Sequence, residues 1–275
     1  MNDIKIYSIT AVGLLAVMYA LFFMGLLSPV PALGFILGTS GVLLGWVSLK
    51  LTFVWNSLNQ EQKMRMSVLN ELRWFFITGS IFLFVDLIPH VFLVIFYPVE
   101  STITIAHWMA HTILFVNTVL GARVAVSLFN PQYKNVVASF VAFIGITALG
   151  ASIVYPDHLI NIPGSQYPLL SSNYVYAWFN QIANISSLGF AGIYLIIQGL
   201  RSPSHIAKVR ASLLGVGAIF FVAVGYFVHF VHTWYVPLAI YTSFIGYALF
   251  MGIGALYAAG KKEEMIVPNP AGTNL

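Results

Sequence analysis

The chain has 275 residues, of which 59% are hydrophobic and 7% are charged. So few charges cannot cover a water-exposed surface, and together with a mean hydropathy of +0.89 they exclude a soluble globular domain and indicate a lipid environment. The sequence contains no cysteine, which excludes disulfides, thiolate metal sites and iron–sulfur clusters.

Eight apolar segments follow one another along the chain, separated by polar, proline-containing or charged stretches. A bilayer core about 30 Å thick needs about 20 apolar residues per helix, so the spans leave no room for a sizeable soluble domain. We predict an all-α fold, a polytopic integral membrane helix bundle, with one transmembrane domain over residues 1–260 and a short cytoplasmic tail over 261–275. The predicted helices cover residues 4–27, 30–57, 72–97, 102–129, 135–154, 174–199, 210–233 and 236–259.

The basic residues predict the orientation of these helices. If eight helices alternate, ten of the twelve Lys and Arg residues fall at one side, and Lys50 and Arg123 lie in the helix halves nearest to that side. Because cytoplasmic loops retain Lys and Arg, both termini are predicted to be cytoplasmic, in a multi-pass protein of the plasma membrane. The net charge of +4 is thus an orientation signal, and it requires no nucleic-acid partner.

Two pairs of polar residues lie at similar predicted depths in the third and fourth helices. The third helix runs outward and places Asp86 and His90 on one face, roughly 16 and 10 Å below its outer end. The fourth helix begins on the outer side and places His107 and His111 about 8 and 14 Å deep. Because only a short turn at residues 98–101 joins the two helices, all four side chains are predicted to share the extracytoplasmic leaflet.

The sixth and seventh predicted helices add further polar residues at the outer side. Asn180 and Asn184 are four residues apart, and His229 and His232 lie within about 6 Å of the outer end of their helix. Asparagines in membrane helices are more typical of helix packing than of metal binding. His232 adjoins an interfacial Thr-Trp-Tyr run, where a histidine without a ligand role is equally typical.

These histidines favour a metal or haem site. Imidazole is the usual neutral ligand for zinc, copper and haem iron, and facing helices of a bundle supply such ligands. An ionised carboxylate at this depth costs at least about 2.5 kcal/mol unless it has a partner, so the aspartate belongs to the same site. The candidate residues for cofactor binding are His90, His107, His111 and His229, and the candidate metal ligands are Asp86, His90, His107, His111, His229 and His232. Haem b or copper is the favoured cofactor, and zinc also fits.

One local stretch of the sequence has a known counterpart. Asp86-x-x-x-His90, a short outer turn and then Ala106-His107-Trp108 resemble the copper-binding stretch of the smallest membrane subunit of particulate methane and ammonia monooxygenases. The resemblance is limited to these two helices. It implies that Asp86, His90 and His107 bind copper. An accessory subunit of a larger, copper monooxygenase-like membrane complex is accordingly one of the alternative functions.

Four function classes agree with this pattern. A membrane redox protein, with quinol or an extracytoplasmic redox protein as partner, is favoured because the site is rich in histidine and lies at one side. A metal-dependent intramembrane hydrolase would gain from a serine or a second aspartate at matching depth, but Ser101 is too shallow and we expect no second buried aspartate. A transporter would use broken helices, such as one interrupted at Pro89. In a receptor or accessory subunit, the outer loop over residues 155–173 would cover a ligand pocket or dock a partner.

Overall fold

The structure is a computed structural model, and it describes residues 2–129, 131–161, 165–230 and 236–259. These residues form an all-α bundle, as predicted from the sequence. The helices are α1 Asn2–Phe23, α2 Pro29–Asn56, α3 Gln60–Arg65, α4 Ser67–Phe96, α5 Glu100–Phe129, α6 Lys134–Val154, α7 Tyr174–Arg201, α8 His205–Phe230 and α9 Val236–Ala259.

Eight of these helices correspond to the predicted segments, with ends that differ by a few residues. The short helix α3 was not predicted, because the polar stretch between α2 and α4 has no apolar periodicity. A capping box stabilises its start: Gln62 N donates to Asn59 Oδ1 at 2.8 Å, and Asn59 N donates to Gln62 Oε1 at 3.0 Å. The predicted tail over residues 261–275 and the predicted end of the seventh span lie outside the described residues.

Most helices of the bundle have the length and apolar composition that a bilayer requires. Within the described residues, α1, α2 and α4 to α8 are each long and apolar enough to cross a membrane, which makes seven candidate spans. The described apolar stretch of α9, Thr242–Tyr257, is shorter than those seven. The lipid environment therefore follows from the helices, while the total of eight spans and the placement of both termini in the cytoplasm stay predictions.

Seven helices form a closed ring. Neighbours in the ring are α2, α4, α5, α6, α7, α8 and α9, and α9 returns to pack against α2. The first helix, α1, lies outside the ring against α2 and α9. Large apolar side chains such as Leu44, Phe75 and Phe76 are almost fully buried in the bundle core. Residues from non-consecutive helices, in particular α4, α5, α7 and α8, can therefore meet at the centre.

One end of the ring carries ion pairs between helix termini. Lys50 Nζ lies 3.2 Å from Asp3 Oδ2, which joins the end of α2 to the start of α1. Glu71 near the start of α4 lies 2.9 Å from an Arg123 nitrogen and 3.3 Å from Lys134 Nζ. Asp3 and Glu71 thus form ion pairs with basic residues of the set from which we predict that this end is cytoplasmic.

Two helices contain a wider, π-helical turn. In α4 this turn covers Ile88–Leu93 and includes His90. Pro89 lacks a backbone N–H and cannot complete the regular ladder of α-helical hydrogen bonds, which explains the interruption. In α7 the wider turn covers Ile185–Gly189 and follows Asn184 directly. Such turns occur frequently at functional sites, and here both adjoin buried polar side chains.

The outer loop after α6 contains a short antiparallel hairpin, where the sequence had indicated only a loop. Its strands are β1 His158–Ile160 and β2 Leu169–Ser171. Leu159 N donates a hydrogen bond to the Glu100 carboxylate at 3.1 Å. Leu170 is buried in a small apolar cluster with residues of α2, α4 and α5. The loop is therefore attached to the bundle at the end opposite the ion pairs.

Glycines allow α7 and α8 to pack closely, and this contact is testable. A Cβ atom on Gly215 would lie 2.5 Å from the carbonyl oxygen of Gly192. Because backbone atoms cannot move aside, we expect Gly215→Ala to lower the free energy of unfolding by about 1–3 kcal/mol, measured by reversible unfolding in mixed micelles. The matched control is Gly13→Ala, since a Cβ there meets nothing within 4 Å. Equal stability of both variants would contradict this packing.

Candidate metal site

Four predicted site residues form one buried group. Each can offer one ligand atom such that all four atoms lie within 4.8 Å of one another. We call this set the His/Asp group, and its members are Asp86, His90, His107 and His111. The helices α4 and α5 pack side by side with opposite directions, so the two i,i+4 pairs face each other.

The Asp86 carboxylate lies between imidazoles of the two helices. Its Oδ1 atom is 3.4 Å from His90 Nε2 and 3.8 Å from His111 Nε2. The ring centroids of His90 and His107 are 5.3 Å apart, and those of His107 and His111 are 3.9 Å apart. The π-helical turn of α4 carries His90, so this turn sets the position at which the ring faces α5.

A second carboxylate completes the surroundings of His107. Asp157, at the start of the outer loop, is only 4% exposed, and its Oδ2 lies 2.5 Å from His107 Nδ1. A proton on Nδ1 can be donated to this carboxylate, which leaves the lone pair of Nε2 for a metal ion. The expectation that no second aspartate is buried was therefore wrong, because Asp157 lies in the loop and is covered there against His107.

The other α5 histidine is oriented in a similar way. The Tyr176 hydroxyl, at the start of α7, forms a hydrogen bond with His111 Nδ1, and both side chains are buried. With Nδ1 as the donor, His111 Nε2 faces the Asp86 carboxylate with its lone pair. Asp157 and Tyr176 were both missed as site residues. Asp157 lies just after the outer end of α6 and Tyr176 just after the start of α7, so the depth argument could find them if it were extended to residues at helix ends.

The His/Asp group fits a bound cation. Within the described part of the chain, Asp86 Oδ1, His90 Nδ1 and His107 Nε2 are buried without a hydrogen-bond partner. Each such group costs about 1–3 kcal/mol, and a metal ion would offset this cost at the atoms that bind it. Ligand atoms around a tetrahedral ion lie roughly 3.3 Å apart, so small side-chain rotations would close the group. Three imidazoles and one carboxylate suit Cu²⁺ or Zn²⁺.

His229 lies beside the group and not within it. Its ring centroid is 6.4 Å from that of His111, and its Nε2 atom accepts a hydrogen bond from Asn180 Nδ2 at 2.8 Å. Asn184 Nδ2 in turn donates to Asn180 Oδ1 at 3.4 Å. The sixth candidate, His232, lies outside the described residues.

A cavity of about 50 Å³ adjoins the His/Asp group. We call it the site cavity. Its polar wall consists of Asp86, His90, His111, Asn180, Asn184 and His229, and its apolar wall includes Phe82, Leu114, Phe221, Val224, Val228 and Phe244. The group therefore has the outer loop on one side, through Asp157, and the site cavity on the other.

No protein-family model, curated protein or solved structure matches this chain. A buried His/Asp cluster inside a bundle of apolar helices is compatible with a metal site in a membrane.

The contact between Asp157 and His107 predicts a role in metal affinity. Removing the carboxylate that orients a metal-binding histidine typically weakens binding by about 10–100-fold. We expect this loss for Asp157→Asn, measured by competition titration of Cu²⁺ against a chelator with the purified protein. Glu100→Gln is the matched control, because Glu100 holds the same loop through Leu159 N without contacting a histidine. Equal affinities of the two variants would show that Asp157 has no such role.

Proposed function

We propose that this chain is a membrane redox protein that holds one copper ion through the His/Asp group. The compact convergence of three imidazoles and one carboxylate, with Asp157 behind His107, is the observation that carries this proposal. Copper bound there would supply a centre that accepts and releases one electron. The protein's own residues would hold the ion, orient the imidazoles and exclude bulk water.

The geometry favours a single ion over haem b. A haem iron needs two axial ligands on opposite faces of a porphyrin, with the macrocycle between them. In this chain four donor atoms lie within 4.8 Å of one another, which leaves no gap for a macrocycle between them. The site cavity of about 50 Å³ accommodates a few water-sized molecules and not a porphyrin.

The donor set favours copper over zinc. For the same nitrogen and oxygen ligands, Cu²⁺ binds more tightly than Zn²⁺. The resemblance of the stretch from Asp86 to His107 to a copper-binding subunit supports the same choice. Zinc would suit the hydrolytic alternative, in which the site cavity beside Asp86 holds a metal-activated water. We prefer redox chemistry because both buried carboxylates already adjoin imidazoles, Asp86 at 3.4 Å and Asp157 at 2.5 Å, so neither serves as a free base.

A resident ion fits the bundle better than a transported one. Between the site and the end of the ring that carries the ion pairs, the described core consists largely of apolar side chains. A second cavity there, of about 40 Å³, is lined by residues such as Leu72, Phe75, Leu188 and Leu195, with no charged side chain among its lining residues. An ion leaving in that direction would lose its ligands without replacement, at a high cost in free energy.

The predicted topology places the site in the extracytoplasmic half of the plasma membrane. Asp157 links the group to the outer loop, so the metal would lie near one membrane surface. An extracytoplasmic redox protein or a quinol in the bilayer could then exchange electrons with it. An accessory role in a larger membrane complex would use the same site.

Metal analysis tests the proposal directly. Protein purified in detergent, loaded with Cu²⁺ and washed should retain one copper per chain, with a Cu²⁺ paramagnetic signal that disappears on reduction and returns on reoxidation. We expect the double variant His107→Ala, His111→Ala to lose this copper, because half of the ligands are removed. His158→Ala is the control, since His158 is exposed in the outer loop.

Three results would count against the proposal. Wild-type protein that retains no metal would contradict the site, and retention of copper by the double variant would contradict its ligands. Exclusive retention of zinc from a mixture of both metals would favour the hydrolytic function instead.

A further inference from the structure

The site cavity has the features of a binding site for a second component. Its lining combines polar and apolar side chains, and three of the polar ones, Asp86, His90 and His111, belong to the His/Asp group. Because a dry cavity is normally lined by apolar side chains only, a cavity with six polar lining residues is suited to an occupant with polar groups. A molecule in it would lie beside any ion held by the group.

Asn184 supplies an acceptor for such a molecule. Its side chain is 2% exposed, and its amide nitrogen already donates to Asn180. Among the described residues, its Oδ1 atom has no hydrogen-bond partner. Buried polar atoms are normally paired, so the occupant of the site cavity should donate a hydrogen bond here.

Gly225 of α8 allows the Asn184 amide to lie close to the α8 backbone at the site cavity. A Cβ atom on Gly225 would lie 3.1 Å from Asn184 Nδ2 and 2.7 Å from Gln181 Oε1. Only glycine therefore lets the two amide side chains approach α8 so closely. Asn184 lines the site cavity and Gln181 does not, which makes Gln181 a matched control for Asn184.

The apolar part of the lining selects for an apolar group. Three phenylalanines from α4, α8 and α9, Phe82, Phe221 and Phe244, line it together with aliphatic side chains. A charged ligand would lose its hydration against these residues without compensation. The chemistry of the walls thus calls for a small, uncharged, amphipathic molecule.

We propose that the site cavity binds a small uncharged molecule of about three to five heavy atoms, with a hydroxyl group toward Asn184 and an apolar group toward the phenylalanines. Short-chain alcohols represent this class. The inference rests on the proposed function, since it places the molecule next to the copper ion as a substrate or an additional ligand.

Pulsed electron paramagnetic resonance of the copper-loaded protein tests this inference, with ethanol deuterated on carbon as the probe. Deuterium modulates the Cu²⁺ echo only when it lies within a few ångströms of the ion, so alcohol dissolved in detergent gives no signal. We expect a modulation that grows with ethanol concentration and then saturates. It should be lost in Asn184→Leu, which removes the acceptor at nearly constant volume, and retained in Gln181→Leu.

A second variant guards against an effect of Asn184→Leu on folding. Val224→Leu narrows the site cavity from its apolar wall and should also abolish the modulation while copper stays bound. Copper-loaded wild-type protein without modulation would overturn this inference and leave the proposed function intact. Protein that binds no copper would overturn the proposed function itself. Full modulation in both Asn184→Leu and Val224→Leu would overturn the assignment to the site cavity.

Discussion

Asp86 places a carboxylate inside a bundle whose core is largely apolar, and the arrangement around it follows from the need to stabilise that charge. An unpaired carboxylate at membrane depth costs several kcal/mol, whereas paired or metal-bound carboxylates are tolerated. Among the described residues, no Lys or Arg forms an ion pair with Asp86, whereas the Nε2 atoms of His90 and His111 lie within 4 Å of its carboxylate. Neutral imidazoles compensate a carboxylate poorly, while a divalent cation shared by all three compensates it fully. The same cation would bind the Nε2 atom of His107, which is buried without a hydrogen-bond partner among the described residues.

The rest of the fold supplies the surroundings that such an ion requires. The closed ring of seven helices brings α4 and α5 to the same centre as α7 and α8, so histidines and amides distant in sequence share one site. Asp157 and Tyr176 then orient two of the imidazoles through Nδ1. Such outer contacts fix the ring orientation and raise the basicity of the ligand nitrogen. The loop that carries Asp157 is also attached to α5 through a hydrogen bond from Leu159 N to Glu100.

Much of the fold and all four members of the His/Asp group could be predicted from the sequence. Long apolar segments and the i,i+4 spacing of Asp86 and His90, repeated by His107 and His111, encode helix type and side-chain face directly. Helix order in the membrane plane is not encoded by depth, which is why the separation of His229 from the group could not be foreseen. Asp157 was missed because loop residues have no periodicity from which a direction can be inferred. The helix α3 was missed because its cap, and not an apolar face, determines it.

The most direct test of the central claim is X-ray absorption spectroscopy at the copper edge of the loaded, full-length protein. A single ion held by the His/Asp group predicts a first shell of nitrogen and oxygen only, with the multiple-scattering pattern of three imidazoles. It also predicts that the first shell loses one imidazole in the His90→Ala variant, because the His90 ring at the π-helical turn of α4 would be a ligand. A first shell that contains sulfur, or one with fewer than two imidazoles, would contradict the site described for this chain.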